Sequence, residues 1–364
     1  MKVPFLDLSV PDTERAELLA AVDRVLQHGR IVMGPEVEEF ESRVAQYCGR
    51  RFAVGLSSGS DALFMALLAA GIGPGDEVIT TAKSFVATAN AISMTGARPV
   101  FADIGDDLNI DPASVEALIG DATKAIVPVH FTGKLCRMPE LEALADRHGL
   151  FLVEDGSQAF GASFGERRCG SFGRVAAISL NPMKVLAACG EAGVAVTDEP
   201  EIADTLRALR HNGIVEREYC RWVSLNGRLD TMQAAILLQR LEGYDALIER
   251  RRAIAARYDA ALGNVVGVPR EAEGYRDVYY TYTIRTERRD ELAAFLADAG
   301  IETKIQHPLL MPQQPAYRDE ALGAFPRAEQ LVKQVLCLPA SEKLSAAQQD
   351  AVIEAVQRFF AEAS

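Results

Sequence analysis

Three short apolar runs lie close together in the middle of this chain, and they constrain its fold more than any other feature. The first run, Phe151–Val153, ends in two carboxylates, the second of which is Asp155. The second run, Val175–Leu180, is followed by Lys184, and a Gly/Ala-rich segment then leads into the third, Val194–Val196. Uncharged runs of this length are typical of strands buried in a sheet. Because ligands collect where such strands end, we expect the acid and the lysine to lie in one region.

Lys184 precedes the sequence Val-Leu-Ala-Ala-Cys-Gly, which is a poor environment for a solvated surface charge. A desolvated amine loses its proton readily and forms Schiff bases. A carboxylate opposite the amine, here Asp155, is what a pyridinium nitrogen requires, so the pair predicts pyridoxal 5'-phosphate (PLP) as the cofactor. The alternative for Lys184 is a lysine whose stem lies along apolar surface beside a glycine-rich turn.

Strand and helix patterns alternate from Phe52 to about Thr197, which predicts an α/β fold with a mostly parallel sheet covered by helices on both faces. A long helical pattern follows from Asp230 to about Ala261. The remaining residues indicate an α+β arrangement, with strands expected at Tyr279–Arg285, Glu302–Ile305 and Val335–Leu338. A chain of 364 residues is too long for one small core. We therefore predict a large cofactor-binding domain at residues 1–243 and a smaller C-terminal domain at residues 244–364.

The charge and cysteine content argue against several functional classes. A formal net charge of −13 and a pI near 5.0 argue against binding of nucleic acid or of an acidic membrane surface. The two longest uncharged stretches, residues 62–75 and 84–97, are too short to span a bilayer. The six cysteines are scattered without metal-ligand spacing, so we expect no metal site, and buried thiols in a reducing compartment. Together with an N-terminus that does not resemble a signal peptide, these features predict a cytoplasmic protein.

The segment Ser57–Ser60 lies between a predicted strand and an apolar helix. Free backbone N–H groups at a helix start, flanked by hydroxyls, can bind a phosphate group. The alternative is that a serine of this segment is an ordinary N-cap on a core helix. Phe85, at the start of the next predicted helix, could stack on a planar ring or could belong to the core.

Two further residues are candidates for substrate binding. Arg228 lies in a turn before the long helical pattern, where its guanidinium could hold a carboxylate or phosphate through two hydrogen bonds. Asp230, two residues later, is expected to cap that helix. His307 precedes Pro308 and is a weaker candidate.

Over almost its whole length the chain resembles the DegT/DnrJ/EryC1/StrS family of sugar aminotransferases. The resemblance rests on several ordered motifs: Gly73–Thr80, Phe85–Thr88, Val100–Asp103, Ala125–Gly133, Val153–Asp155 with Gln158, Ser179 with Lys184, and Asn226–Asp230 with Gln233–Ala235. It implies a PLP enzyme of fold type I, like aspartate aminotransferase, that acts as a homodimer with shared active sites.

The family motifs imply a role for each matching residue. Lys184 would form the internal aldimine and act as general acid and base, and Asp155 would hold the pyridinium nitrogen protonated. Gln158 would meet the ring hydroxyl. The remaining cofactor contacts would come from Phe85 on the ring face and, at the phosphate, from Ser58, Gly59, Ser60, Ser179 and Asn226 of the partner subunit.

The same resemblance implies the reaction. An amino group would pass from L-glutamate to a keto group of a nucleotide-linked sugar by a ping-pong route. An aminocyclitol-forming transaminase acting on a ketone such as scyllo-inosose is one alternative, and a non-catalytic regulator that binds PLP or a sugar is another. The chain departs from the family at Gln306–Pro308, where His-Tyr-Pro is usual, and at Ile31, where an aromatic residue is common. We therefore expect Ile31, Arg228 and His307 to contact the substrate.

Overall fold

The computed structural model describes residues 2–318 and 323–362. Its α-helices are α1 (Asp12–His28), α2 (Pro35–Cys48), α3 (Gly59–Ala69), α4 (Ala87–Met94), α5 (Pro112–Leu118), α6 (Met138–His148), α7 (Pro200–Leu209), α8 (Thr231–Glu242), α9 (Tyr244–Leu262), α10 (Arg289–Asp298), α11 (Pro326–Gln334) and α12 (Ala346–Ala361). Its β-strands are β1 (Phe52–Leu56), β2 (Glu77–Thr81), β3 (Arg98–Ala102), β4 (Thr123–Val127), β5 (Phe151–Asp155), β6 (Ser163–Phe164), β7 (Arg167–Arg168), β8 (Val175–Ser179), β9 (Gly193–Thr197), β10 (Ile214–Glu216), β11 (Tyr219–Cys220), β12 (Tyr275–Arg276), β13 (Tyr282–Arg285) and β14 (Val335–Leu338).

The central element is a seven-stranded sheet with the order β1-β9-β8-β5-β4-β2-β3. Strand β9 pairs antiparallel with both β1 and β8, and the other pairings are parallel. All strands except β9 therefore run in one direction, and their carboxyl ends share one edge of the sheet. The predicted α/β fold with a mostly parallel mixed sheet is confirmed.

The sheet is apolar on both faces because helices cover both of them. One face packs on residues of α3, α4 and α7, and the other packs on residues of α2, α5, α6 and α8. The three apolar runs recognised in the sequence are buried strands of this sheet, β5, β8 and β9. β5 and β8 are neighbours, with Asp155 beside Ala177, so the acid and the segment that leads to Lys184 emerge at the same edge.

A second core lies in the C-terminal part of the chain. It is formed by apolar residues of α9, α10, α12 and the antiparallel pair β13–β14. Val3 packs in this core and pairs with Ile301, so the first residues contact the C-terminal half of the chain. No helix in the described ranges is long and apolar enough to cross a membrane.

Three local predictions were wrong. The single helix expected from Asp230 to Ala261 is two helices, because Gly243 leaves helical geometry (φ −99°, ψ 8°) between α8 and α9. Apolar periodicity continues through both helices and does not report such a break. The strand expected at Glu302–Ile305 is reduced to isolated bridges at Ile301 and Lys304. Asp230 lies at the N-cap position of α8, but its side chain makes no capping hydrogen bond, so it does not cap the helix as predicted.

Candidate active site

Lys184 lies in the turn that follows β8, and its side chain is partly buried. Burial lowers the pKa of Lys184 to about 8, against the opposing attraction of Asp155 and Glu191. The Nζ atom lies 4.9 Å from the centroid of the Tyr280 ring, which comes from the C-terminal part of the chain. An amine with this pKa changes protonation state close to neutral pH, as a catalytic lysine must. Tyr280 carries no motif in the sequence, and its ring was not anticipated.

Asp155, the last residue of β5, is almost fully buried and oriented by two donors. The Thr88 hydroxyl donates to Oδ2 over 2.8 Å, and the backbone N–H of Ser157 donates to Oδ1 over 3.1 Å. These bonds hold the carboxylate in one orientation at the sheet edge. Sequence reasoning assigned Thr88 no role, although its position one turn after Phe85 in a family motif was a usable signal.

Glu154, next to Asp155, forms a buried pair with His130 over 2.9 Å. His130 Nδ1 accepts the N–H of Cys136 over 3.1 Å, so Nε2 carries the proton and donates to Glu154. Glu154 also accepts the backbone N–H groups of Gly170 and Phe172. A protonated nitrogen cannot bind a metal ion, although His130, Glu154 and Cys169 cluster within 4.8 Å. The hydrogen bonds of His130 and Glu154 therefore hold the loop after β4 and the turn at residues 170–172 next to the end of β5.

The start of α3 approaches the end of β8 so closely that only glycine fits. A Cβ atom on Gly59 would lie 2.4 Å from Cβ of Ser179, and one on Gly193 would lie 2.2 Å from the carbonyl oxygen of Ser58. The N–H groups of Gly59 and Ser60 have no acceptor within the helix and carry its positive dipole end. Together with the Ser179 hydroxyl, this cradle fits a phosphate group. The Ser58 hydroxyl accepts the N–H of Asp61 over 3.1 Å, so it is also the N-cap that the sequence left open.

Phe85 and His307 meet at the mouth of the site. Phe85 is 56% exposed, and its ring centroid lies 5.6 Å from that of His307. His307 adopts the left-handed conformation (φ 51°), which is unusual for a residue with a side chain. Burial, assisted by the nearby Lys83 and Lys304, lowers the pKa of His307 to about 4. The imidazole is therefore neutral at physiological pH.

Comparison with known proteins identifies the family of this chain. A model of the DegT/DnrJ/EryC1/StrS aminotransferase family matches residues 12–357. The chain belongs to this family. It is 44% identical, over 98% of its length and 96% of the relative's, to the dTDP-3-amino-3,4,6-trideoxy-alpha-D-glucose transaminase of Streptomyces venezuelae. It is 41% identical, over 99% of both chains, to the pleiotropic regulatory protein of Geobacillus stearothermophilus. The crystal structure of DesV from S. venezuelae in complex with a ketimine intermediate matches with a TM-score of 0.96 over 98% of each chain, at 44% identity.

The protein is thus a PLP-dependent sugar aminotransferase, and its fold is that of the family. The residues described above fit this cofactor at both ends. A glycine-only cradle is available for the phosphate, and an oriented carboxylate lies near a desolvated lysine for the ring.

Three other residues predicted to contact ligands lie on one surface of the aminotransferase. Thr231 N–H donates to the Ile31 carbonyl over 3.2 Å, and Arg228 pairs with Leu56 at the end of β1, which brings Ile31 and Arg228 to neighbouring positions. Asn226 is exposed, and its Oδ1 accepts from Arg228 Nε over 2.8 Å. No hydrogen bond among the described residues joins the Asn226 side chain to the phosphate cradle of its own chain.

Two cavities contact the turn that carries Lys184. Lys184 lines a cavity of about 890 Å³ together with the N-terminal segment 6–11. Met183 lines a second cavity of about 280 Å³, whose other walls include Tyr280, Lys304 and Gln306. Volumes of this order accommodate small organic ligands.

Proposed function

We propose that this aminotransferase moves an amino group from L-glutamate to a keto group of a nucleotide-linked sugar. The observation that carries the proposal is the Lys184 amine, with a pKa of about 8, close to the oriented carboxylate of Asp155 and beside the Gly59 cradle. The name of the S. venezuelae relative, a dTDP-linked amino sugar transaminase, supports the acceptor class.

PLP, when bound, supplies an electron sink that weakens the bonds at an amine-bearing carbon. In this proposal Gly59, Ser60 and Ser179 would hold its phosphate. Gln158, which follows the end of β5 by three residues, would meet its ring hydroxyl. Asp155 faces the ring nitrogen and, as an oriented anion, keeps that nitrogen protonated. Phe85 covers one face of the ring and excludes water from it.

Lys184 binds the cofactor and then moves a proton between the substrate carbon and the cofactor. Because its pKa of about 8 is close to neutral pH, the amine can take up the proton and return it without a large energetic penalty. One lysine serving both half-reactions implies that donor and acceptor use the same site in turn. We therefore propose a ping-pong sequence.

We also propose that the active unit is a homodimer with shared sites. Among the described residues, the exposed side chain of Asn226 makes no hydrogen bond to the cradle of its own chain, whereas its neighbours Gly227 and Arg228 pack against the end of β1. In a two-fold dimer, Asn226 and Arg228 of one subunit would reach the phosphate and the substrate of the other.

The test is a substrate panel run in the amine-removing direction with 2-oxoglutarate as acceptor. dTDP-, UDP- and GDP-linked amino sugars are compared with aminocyclitols, and L-glutamate formation is measured. We expect turnover with a nucleotide-linked amino sugar. Turnover with the aminocyclitols alone would assign the cyclitol reaction. No spectral change of the bound cofactor with any amine would favour a regulatory role, the class that the name of the G. stearothermophilus relative indicates.

A further inference from the structure

Gln158 is the centre of a buried hydrogen-bond network that joins the two parts of the chain. It is 5% exposed and follows β5 by three residues. Its Oε1 accepts the backbone N–H of Thr132 over 3.1 Å and the side-chain Nε2 of Gln306 over 3.3 Å. Gln306, itself 5% exposed, belongs to the loop that carries His307.

The chemistry of the partners determines which way the Gln158 amide points. A backbone N–H can only donate, so the Gln158 atom that faces Thr132 is the carbonyl oxygen. The Gln306 atom that faces the same oxygen must then be its NH₂ group. This leaves Gln306 Oε1 to accept from the Thr281 hydroxyl, which lies 3.2 Å away. These three contacts are all hydrogen bonds in this one arrangement of the two amides only.

The main chain of the Gln306 loop is held by a buried lysine. Lys83, after β2, is 1% exposed and donates from Nζ to the carbonyl oxygens of Gln306 (3.1 Å) and His307 (3.3 Å). The N–H of Met311 donates to the Ala82 carbonyl over 2.8 Å in the same region. The loop is thus held against the carboxyl edge of the sheet. The backbone position from which the Gln306 side chain extends is therefore fixed.

We propose that Gln306 is a positioning residue: together with the Thr132 N–H, it holds the Gln158 amide so that the NH₂ group is directed to donate to the ring hydroxyl oxygen of the cofactor. With both acceptor directions of Oε1 used, Nε2 is the side-chain group of Gln158 left for a ligand, and no hydrogen bond among the described residues uses it. A hydrogen-bond donor at the ring hydroxyl oxygen would stabilise the anionic form of that oxygen. The oxygen would then attract the neighbouring iminium proton less strongly, so this proton would be lost at a lower pH. The inference rests on the placement of Gln158 in the proposed site, and it is independent of which sugar is the substrate.

The test follows the pH at which the visible absorbance band of the bound cofactor changes. Gln306→Leu removes one of the two donors to Gln158 Oε1 and leaves the Thr132 N–H alone to hold the amide. The NH₂ group is then held less firmly, so the midpoint should rise by about 0.5 pH unit, the worth of one neutral hydrogen bond. Gln158→Leu should raise the midpoint at least as much. Gln306→His, which retains a ring N–H donor, should restore a midpoint close to that of the wild type.

A matched control and a ligand-free measurement separate positioning from a loss of stability. Ser341→Ala changes another wall of the same 280 Å³ cavity and should leave the midpoint unchanged. Thermal unfolding of the apoprotein reports the structural cost of each variant separately. An unchanged midpoint in Gln306→Leu, or equal shifts in Gln306→Leu and Gln306→His, would overturn the inference. Absence of turnover with nucleotide-linked sugars would not affect this titration.

Discussion

At the scale of single residues, the pKa of the Lys184 amine is set by two opposing electrostatic effects. Burial disfavours the charged ammonium, while the carboxylates of Asp155 and Glu191 favour it. The balance leaves the amine with a pKa of about 8, whereas a solvated lysine titrates near 10.5. In the proposed function, removing the amine therefore removes both the covalent anchor of the cofactor and the proton carrier.

Lys184→Ala should lower turnover by at least about 1,000-fold, because nucleophilic and proton-transfer catalysis are both lost. The visible absorbance band of the lysine-bound cofactor should disappear as well. The exposed Lys124→Ala is the control and should retain both properties. A Lys184→Ala protein that kept the band and the activity would refute the assignment.

His307 should make the folded state sensitive to acid. Its folded pKa of about 4 lies below the ordinary value of 6.5, so folding favours the neutral ring. The corresponding stability is fully present above pH 6.5 and is lost as the pH falls through 4. In His307→Gln we expect the free energy of unfolding to fall less between pH 6.5 and 4.5, by roughly 1 kcal/mol after allowance for partial exposure. Urea denaturation at several pH values measures this, and parallel profiles for the two proteins would contradict it.

At the scale of elements, the contact between α3 and β8 determines whether a phosphate can be bound. The helix start can approach Ser179 only because residue 59 has no side chain. Any Cβ atom there must move the helix away from the strand end, and the N–H groups of Gly59 and Ser60 move with it.

Gly59→Ala should weaken binding of PLP to the apoprotein by at least about tenfold, since the backbone donors no longer converge on one phosphate. Gly120→Ala is the matched control, because no atom lies within 4 Å of its Cβ position and its φ is not positive. Fluorescence titration of the apoproteins measures both dissociation constants. Equal affinities in Gly59→Ala and Gly120→Ala would show that the cradle does not bind the phosphate.

At the scale of the whole molecule, shared sites predict complementation between two inactive variants. Asn226→Asp places a negative charge beside the phosphate, and Lys184→Ala removes the amine, so each homodimer should be severely impaired. In a mixed dimer one site carries both changes and the other carries neither. Coexpression should therefore recover about a quarter of the wild-type activity, for random pairing of the subunits.

The measurement is the steady-state rate of the coexpressed mixture, with each variant alone as the reference. Size-exclusion chromatography with light scattering reports the oligomeric state of the wild type. A fully active monomer, or a mixture no more active than its two components, would exclude the shared site.

Local patterns in the sequence determined the sheet and the strand ends and predicted a Schiff-base cofactor, while the resemblance to the family implied nitrogen transfer. Buried strands read as uncharged apolar runs because helices cover both faces of the sheet, and Asp155, Lys184 and the segment Ser57–Ser60 follow directly where such runs end. For Ser58 the sequence left an N-cap and a phosphate contact open, and the structure shows that its hydroxyl accepts the Asp61 N–H.

Only the tertiary structure decided which distant side chains support these groups. Thr88 meets Asp155 across 67 residues, Gln306 meets Gln158 across 148, and the Tyr280 ring covers Lys184. A periodicity reports burial and backbone conformation, which are local properties, whereas a contact between two loops depends on how the C-terminal core packs against the sheet. For that reason the sequence predicted Lys184 and Asp155 as site residues, and only the tertiary structure showed which distant residues contact them.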